Sequence, residues 1–167
     1  MNLSLLIKGI ASYIPVLTKL FGRSGTSGTD SAMHCYRVWF THLTRLYNSG
    51  LHNIPQSVAE LGPGDSIGVG LAALLSGINK NYALDVVKYA NPERYLMICD
   101  ELVELFNRPG RKTSWRMPDF DHYLDGDLFP SHILTEKLLD AVLSQERING
   151  TKNALLGNIS GNDKITI

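Results

Sequence analysis

The chain is poor in cysteine, with only Cys35 and Cys99 in 167 residues. Their spacing matches no metal or disulfide pattern, so the expectation is buried free thiols in a reducing cytoplasm. It also lacks net charge, because 16 Lys and Arg balance 16 Asp and Glu. A neutral chain has no broad basic field for nucleic acid, although a local patch remains compatible with it. A long uninterrupted apolar run is missing too. Leu3 to Phe21 is mostly apolar, but Lys8, Pro15 and Lys19 break it and no small-residue cleavage site follows. No membrane span or signal peptide is therefore implied. What is present is an ordinary composition for one soluble core, 44% hydrophobic and 19% charged.

The apolar positions Leu3, Leu6, Ile10, Ile14, Leu17 and Phe21 recur at helical spacing. They predict an amphipathic helix packed on the domain, with peripheral membrane contact through residues 1–21 as the alternative. Gly22 to Gly28 is a Gly/Ser/Thr-rich loop. A second helix should start at a cap on Thr29 or Asp30, bury Met33, Tyr36, Phe40, Leu43 and Tyr47, and close at Asn48-Ser49-Gly50. Residues 1–55 thus read as an N-terminal helical segment resembling a lid.

Residues 56–167 change register. Ser57–Leu61 reads as a strand, Ser66–Ser76 as a helix stopped by Gly77, and Tyr82–Val87 as a second strand. Pro92 opens a further helix that ends before Pro109. Residues 108–160 hold an insertion, with a helix from about Leu134 to Gln145 in it. Ile165-Thr166-Ile167 begins a third strand. The strand–helix alternation predicts an α/β fold, a doubly wound parallel sheet of about three strands, preceded by the helical segment.

The chemistry gathers at Glu60-Leu61-Gly62-Pro63-Gly64-Asp65-Ser66. A glycine turn between strand and helix brings main chain close to a ligand and aims helix amides at it. Asp85 follows Gly64 by 21 residues, at the end of the next strand. An acid there can accept hydrogen bonds from ribose hydroxyls. A dinucleotide fingerprint would continue Gly-x-Gly-x-x-Gly, but position 67 is Ile and the next glycine is Gly68. A P-loop needs Gly-Lys-Ser/Thr, which is absent. Glu60, just before the turn, would repel a pyrophosphate and favour a ligand carrying a cation.

The acid-x-Gly-x-Gly run Glu60–Gly64, with Asp85 and Val86 beyond it, resembles the first motifs of class I S-adenosylmethionine-dependent methyltransferases, of the type 11-like kind. The resemblance implies a Rossmann-like domain with S-adenosyl-L-methionine as cofactor. It implies that Glu60 holds the amino end of the methionine moiety and that Gly62, Pro63 and Gly64 let the backbone approach. Asp65 and Ser66 would line the turn, Asp85 would bind the ribose, and Val86 would pack on adenine. Where many members have a third glycine, this chain has Ser66, whose hydroxyl can cap the helix. The implied reaction is methyl transfer to a small molecule or saccharide, in the cytoplasm. A non-catalytic nucleotide-binding module and an NAD-dependent oxidoreductase are the competing readings.

Other clusters are less specific. Asp119, Asp121, His122, Asp125 and Asp127 fail the calcium-loop pattern, since the glycine position holds Leu124, so a solvated or substrate-facing loop is expected and no metal site. His34, Trp39 and His42 could shape a substrate pocket. His122 and His132 could serve as a base, but nothing in the sequence selects a catalytic residue. Arg108, Arg111, Lys112, Trp115 and Arg116 form a basic-aromatic patch with a solvated role expected. The family's sheet has more strands than this chain supplies. The reading is therefore an N-terminal fragment, or else a small protein whose open edge at Val58 and Leu61 is closed by a partner or by its own helix.

Overall fold

A computed structural model describes residues 29–64, 66–85, 91–107, 130–158 and 165–166. The proposed helix over residues 3–21, the Gly/Ser/Thr-rich loop, Asp65, Val86 and the acidic and basic clusters between 108 and 127 lie outside the described residues.

The first described helix, α1, spans Ala32–Asn48. Its cap is Ser31, whose Oγ accepts the His34 N–H at 3.3 Å, rather than Thr29 or Asp30. The main-chain oxygen of Thr29 is engaged elsewhere, by the Ser66 hydroxyl and the Cys35 thiol. The buried stripe holds Cys35, Tyr36, Trp39, Phe40 and Leu43, at helical spacing. Met33 is only partly buried, and Tyr47 sits at the margin. Gly50, with φ +101°, ends the helix as the sequence predicts.

Strand β1 spans Ser57–Leu61 and β2 spans Lys80–Leu84. They pair in parallel, with Ser57 opposite Lys80 and Leu61 opposite Leu84. β2 starts earlier than its apolar residues suggest, because the ladder to β1 carries Lys80 and Asn81 with it. Between the strands lies α2, Gly68–Leu75, which is buried on nearly every side. Gly77, with φ +106°, stops it. Helix α3, Pro92–Asn107, follows β2. Its Phe106 meets Tyr36 and Phe40 edge-on, at ring distances of 5.1 and 5.7 Å. That contact joins α1 and α3 in the same core as α2.

The predicted helix over 134–145 is the shorter α4, Glu136–Val142, capped by Thr135. A second helix, α5, Gln145–Asn158, follows where the sequence suggests a polar stretch. Ser144 Oγ accepts the Arg147 N–H at 3.4 Å and so begins α5. Sequence reasoning missed α5 because its buried apolar residues, Ile148 and Leu155, are seven apart and Gly150 and Gly157 interrupt it. The third strand, β3, is Ile165–Thr166, and it pairs antiparallel to β2, with Tyr82 opposite Thr166. The all-parallel expectation fails there. An extra helix, α5, stands before β3, so the simple strand–helix alternation behind that expectation does not hold there.

The described fold is therefore mixed α/β, with sheet order β1-β2-β3. Val58, Glu60, Asn81 and Ala83 face the helices, while Ala59, Leu61, Tyr82 and Leu84 face outward and are exposed. Among the described residues β1 forms an edge, as the sequence reading anticipated, and Leu61 is 80% exposed. No described helix is long and apolar enough to cross a membrane.

Candidate functional site

The glycine turn lies at the carboxyl end of β1. The Gly62 N–H donates to Leu84 O at 2.8 Å, which extends the parallel ladder by one bond past the strand. The chain then reverses through two left-handed residues, Gly62 at φ +66° and Gly64 at φ +74°. A side chain at either position would be strained. A Cβ at Gly62 would meet no atom of the described residues within 4 Å, so these leave the backbone there open to a ligand. Pro63 between them is buried.

Asp85, just past β2, reaches back to this turn. Its Oδ2 accepts the Gly64 N–H at 3.3 Å. The two strand ends that the sequence singled out are thus in contact. Asp85 itself is exposed at the mouth.

Glu60 and Ser66 take other roles. Glu60 points to the helix side of the sheet, where its Oε2 accepts the Gly70 N–H at 3.2 Å. Burial pushes its carboxyl up to about 7, and the Gly70 N–H offsets only part of that. Ser66 is fully buried. Its Oγ accepts the Gly68 N–H at 3.1 Å and donates to Thr29 O, tying the start of α1 to the start of α2. Ser66 therefore holds helices together rather than lining an opening. Two of the first three amides of α2, those of Gly68 and Gly70, are consequently already engaged.

Gly68 serves close packing: a Cβ there would lie 2.4 Å from Cys35 Sγ. Both cysteines are free and buried, as expected. Burial pushes the Cys35 thiol up to about 12, aided by the charge of Glu60, and the Cys99 thiol up to about 11. Neither is an activated nucleophile.

Sequence reasoning passed over Tyr95, a buried residue in the first turns of α3. Burial raises its phenol pKa, and the charges of Glu60 and Asp85 push the same way. A single Tyr at a helix start carries no signal by itself; only the convergence of β1, β2 and α3 reveals it.

The histidines separate. Trp39 and His42 share a groove of about 610 Å³ that runs along β1 on its helix side and reaches Glu60 and Gly70. Trp39 is held by its Nε1–H, which donates to Ser76 Oγ at 2.8 Å. Burial lowers the pKa of His42, and Arg45 adds to this. His34, at the start of α1, does not line that groove. His132 meets Tyr47 at a ring distance of 5.1 Å, at the far end of α1 from the Thr29–Ser66 contact. A helix rises about 1.5 Å per residue, so the length of α1 separates His132 from the glycine turn. No group of three or more His, Cys, Asp or Glu among the described residues is arranged to hold a metal.

No protein-family model, curated protein or solved structure matches this chain. The functional reading rests on the site.

Proposed function

We propose that this chain carries the cofactor-binding part of a Rossmann-like, class I S-adenosylmethionine-dependent methyltransferase. One observation carries the reading: a doubly left-handed glycine turn at the end of one parallel strand is bonded to an acid at the end of the next, Gly64 N–H to Asp85. Ligands of open α/β sheets bind in the crevice outside the carboxyl ends of the strands. Asp85 would accept hydrogen bonds from the ribose hydroxyls, and the open backbone at Gly62 fits close approach of the methionine portion.

The same geometry disfavours a dinucleotide. A pyrophosphate needs free amides at the start of the helix. In α2 the Gly70 amide already meets a carboxylate and the Gly68 amide a hydroxyl. Gly68, the only glycine near the third fingerprint position, is packed against Cys35. A nucleoside without phosphates needs none of those amides.

When bound, the cofactor supplies an electrophilic methyl group on its sulfonium. The chain's part is orientation, which is the main demand of an in-line methyl transfer. The acceptor class suggested by the absence of a basic footprint is a small molecule or saccharide. The helices cover the inner face of β1 and β2, and the outer face carries exposed Leu61, Tyr82 and Leu84. That layering is compatible with one half of a doubly wound sheet.

Calorimetric titration with S-adenosylmethionine, S-adenosylhomocysteine and NAD tests this. Both methionine nucleotides should bind at least about tenfold tighter than NAD, and Asp85→Ala should weaken them by about tenfold or more. Tighter binding of NAD, or an indifferent Asp85→Ala, would sink the reading.

A further inference from the structure

The groove along β1 is not part of the glycine turn: Gly62, Gly64 and Asp85 are absent from its lining. Its walls are Val38, Trp39, Leu46, Val58, Val69 and Ala73, and its volume falls in the range of small-molecule sites. Its ends differ in charge. Thr29 lies against Ser66 and Trp39 against Ser76, so α1 and α2 run in the same direction. Glu60, Val69 and Gly70 therefore share one end, and Arg45, Leu46 and Pro55 lie toward the other. The three residue steps from Ser57 to Glu60 along β1 set these ends roughly 10 Å apart.

At the first end an acid sits in apolar surroundings with the Gly70 N–H as its hydrogen-bond donor. The titratable neighbours there, the Cys35 thiol and the Tyr95 phenol, are both held neutral by burial. α2 contributes no charged residue, and α1 brings His42, whose lowered pKa keeps it neutral near pH 7, and the more distant Arg45. Among the described residues this partly buried carboxylate has no countercharge, which is costly, and a bound cation relieves that cost. Trp39, its ring held by Ser76 toward the other end of α2, adds an aromatic wall on which the apolar body of a ligand can pack.

We propose that this groove binds a small molecule with an apolar body and a primary ammonium group, the ammonium set against the Glu60 carboxylate. The proposal stands apart from the nucleotide reading. It gives Glu60 a ligand other than the methionine amino group that the family resemblance implies.

The test is calorimetric titration of the full chain with phenethylammonium and with its neutral isostere, phenethyl alcohol. The ammonium should bind at least about tenfold tighter than the alcohol. Glu60→Gln should bring the two probes together, and Val38→Trp, which fills the groove, should weaken both. Equal binding of the two probes to the natural chain would overturn the proposal. So would a preference for the ammonium that survives Glu60→Gln. Should Glu60→Gln fail to fold, Val38→Trp decides: undiminished ammonium binding in that variant places the probe outside the groove and refutes the assignment. Binding of S-adenosylmethionine, read separately, leaves this outcome distinct from that of the nucleotide reading.

Discussion

The Cα of Gly70 faces Asn81 so closely that a Cβ on Gly70 would lie 1.9 Å from Asn81 Nδ2. Asn81 is buried, and neither of its amide atoms has a hydrogen-bond partner among the described residues. α2 can lie flat on the sheet at this point only because position 70 has no side chain. The same close approach brings the Gly70 N–H within reach of Glu60.

Gly70→Ala is therefore predicted to destabilise the fold by about 1–3 kcal/mol through overpacking. Adding Asn81→Ala should recover most of that loss, since it removes the atoms the new methyl would strike and also two unpaired polar groups. Urea denaturation of the two single variants and the double variant measures the coupling. Simple additivity would mean that the two residues do not press on each other.

The raised Glu60 carboxyl predicts a pH dependence of stability. Its value moves from 4.5 when unfolded to about 7 when folded. Below 4.5 the group is protonated in both states, and its contribution is fully present. As pH rises from 4.5 through 7 the unfolded chain releases the proton more readily, so stability is lost across that window. The melting temperature of the natural chain should fall over this range relative to Glu60→Gln. Comparing the two chains removes the effect of His34 and His42, whose lowered values belong to both. A constant difference across the range would show that Glu60 titrates normally.

Leu61 projects from the edge strand on the outer face and is 80% exposed. Leu61→Lys should change stability by less than about 0.5 kcal/mol, because little is buried there. It should lower self-association, because a charge on an open strand edge opposes edge-to-edge pairing. Sedimentation velocity and thermal melting read the two effects. A large loss of stability would show that this face is covered in solution.

Arg147 on α5 closes the far end of α2. Its Nη2 donates to Ile78 O at 2.7 Å and to Leu74 O at 3.4 Å. Hydrogen bonds from a charged donor to half-buried carbonyls are worth about 1.5–3 kcal/mol. Arg147→Ala should cost an amount in that range, and Arg147→Lys less. Chemical denaturation of both gives the comparison, and a neutral Arg147→Ala would mean that α5 is held by Ile148, Leu155 and the Lys152–Asp100 pair without it.

The sequence by itself determined the local units. A short strand running into a glycine pair, Pro92 at a helix start and Gly77 at a helix stop are rules of neighbouring residues, and each worked at its own position. It also singled out Asp85 at the end of the next strand together with the glycine turn, while the bond from the Gly64 N–H to Asp85 came only with the pairing of β1 and β2. Only the tertiary structure decided the rest. α5 exists because Ile148, Leu155 and Arg147 dock on elements far away in sequence, a gain that no amphipathic stripe announces. The antiparallel direction of β3 was visible only in its pairing with β2. The roles of Glu60 and Ser66 were likewise decided by packing. A motif names the residues beside a turn, but which side of the sheet each side chain enters depends on the helix laid against it. Here α2 lies close enough, at Gly68 and Gly70, to draw both residues inward.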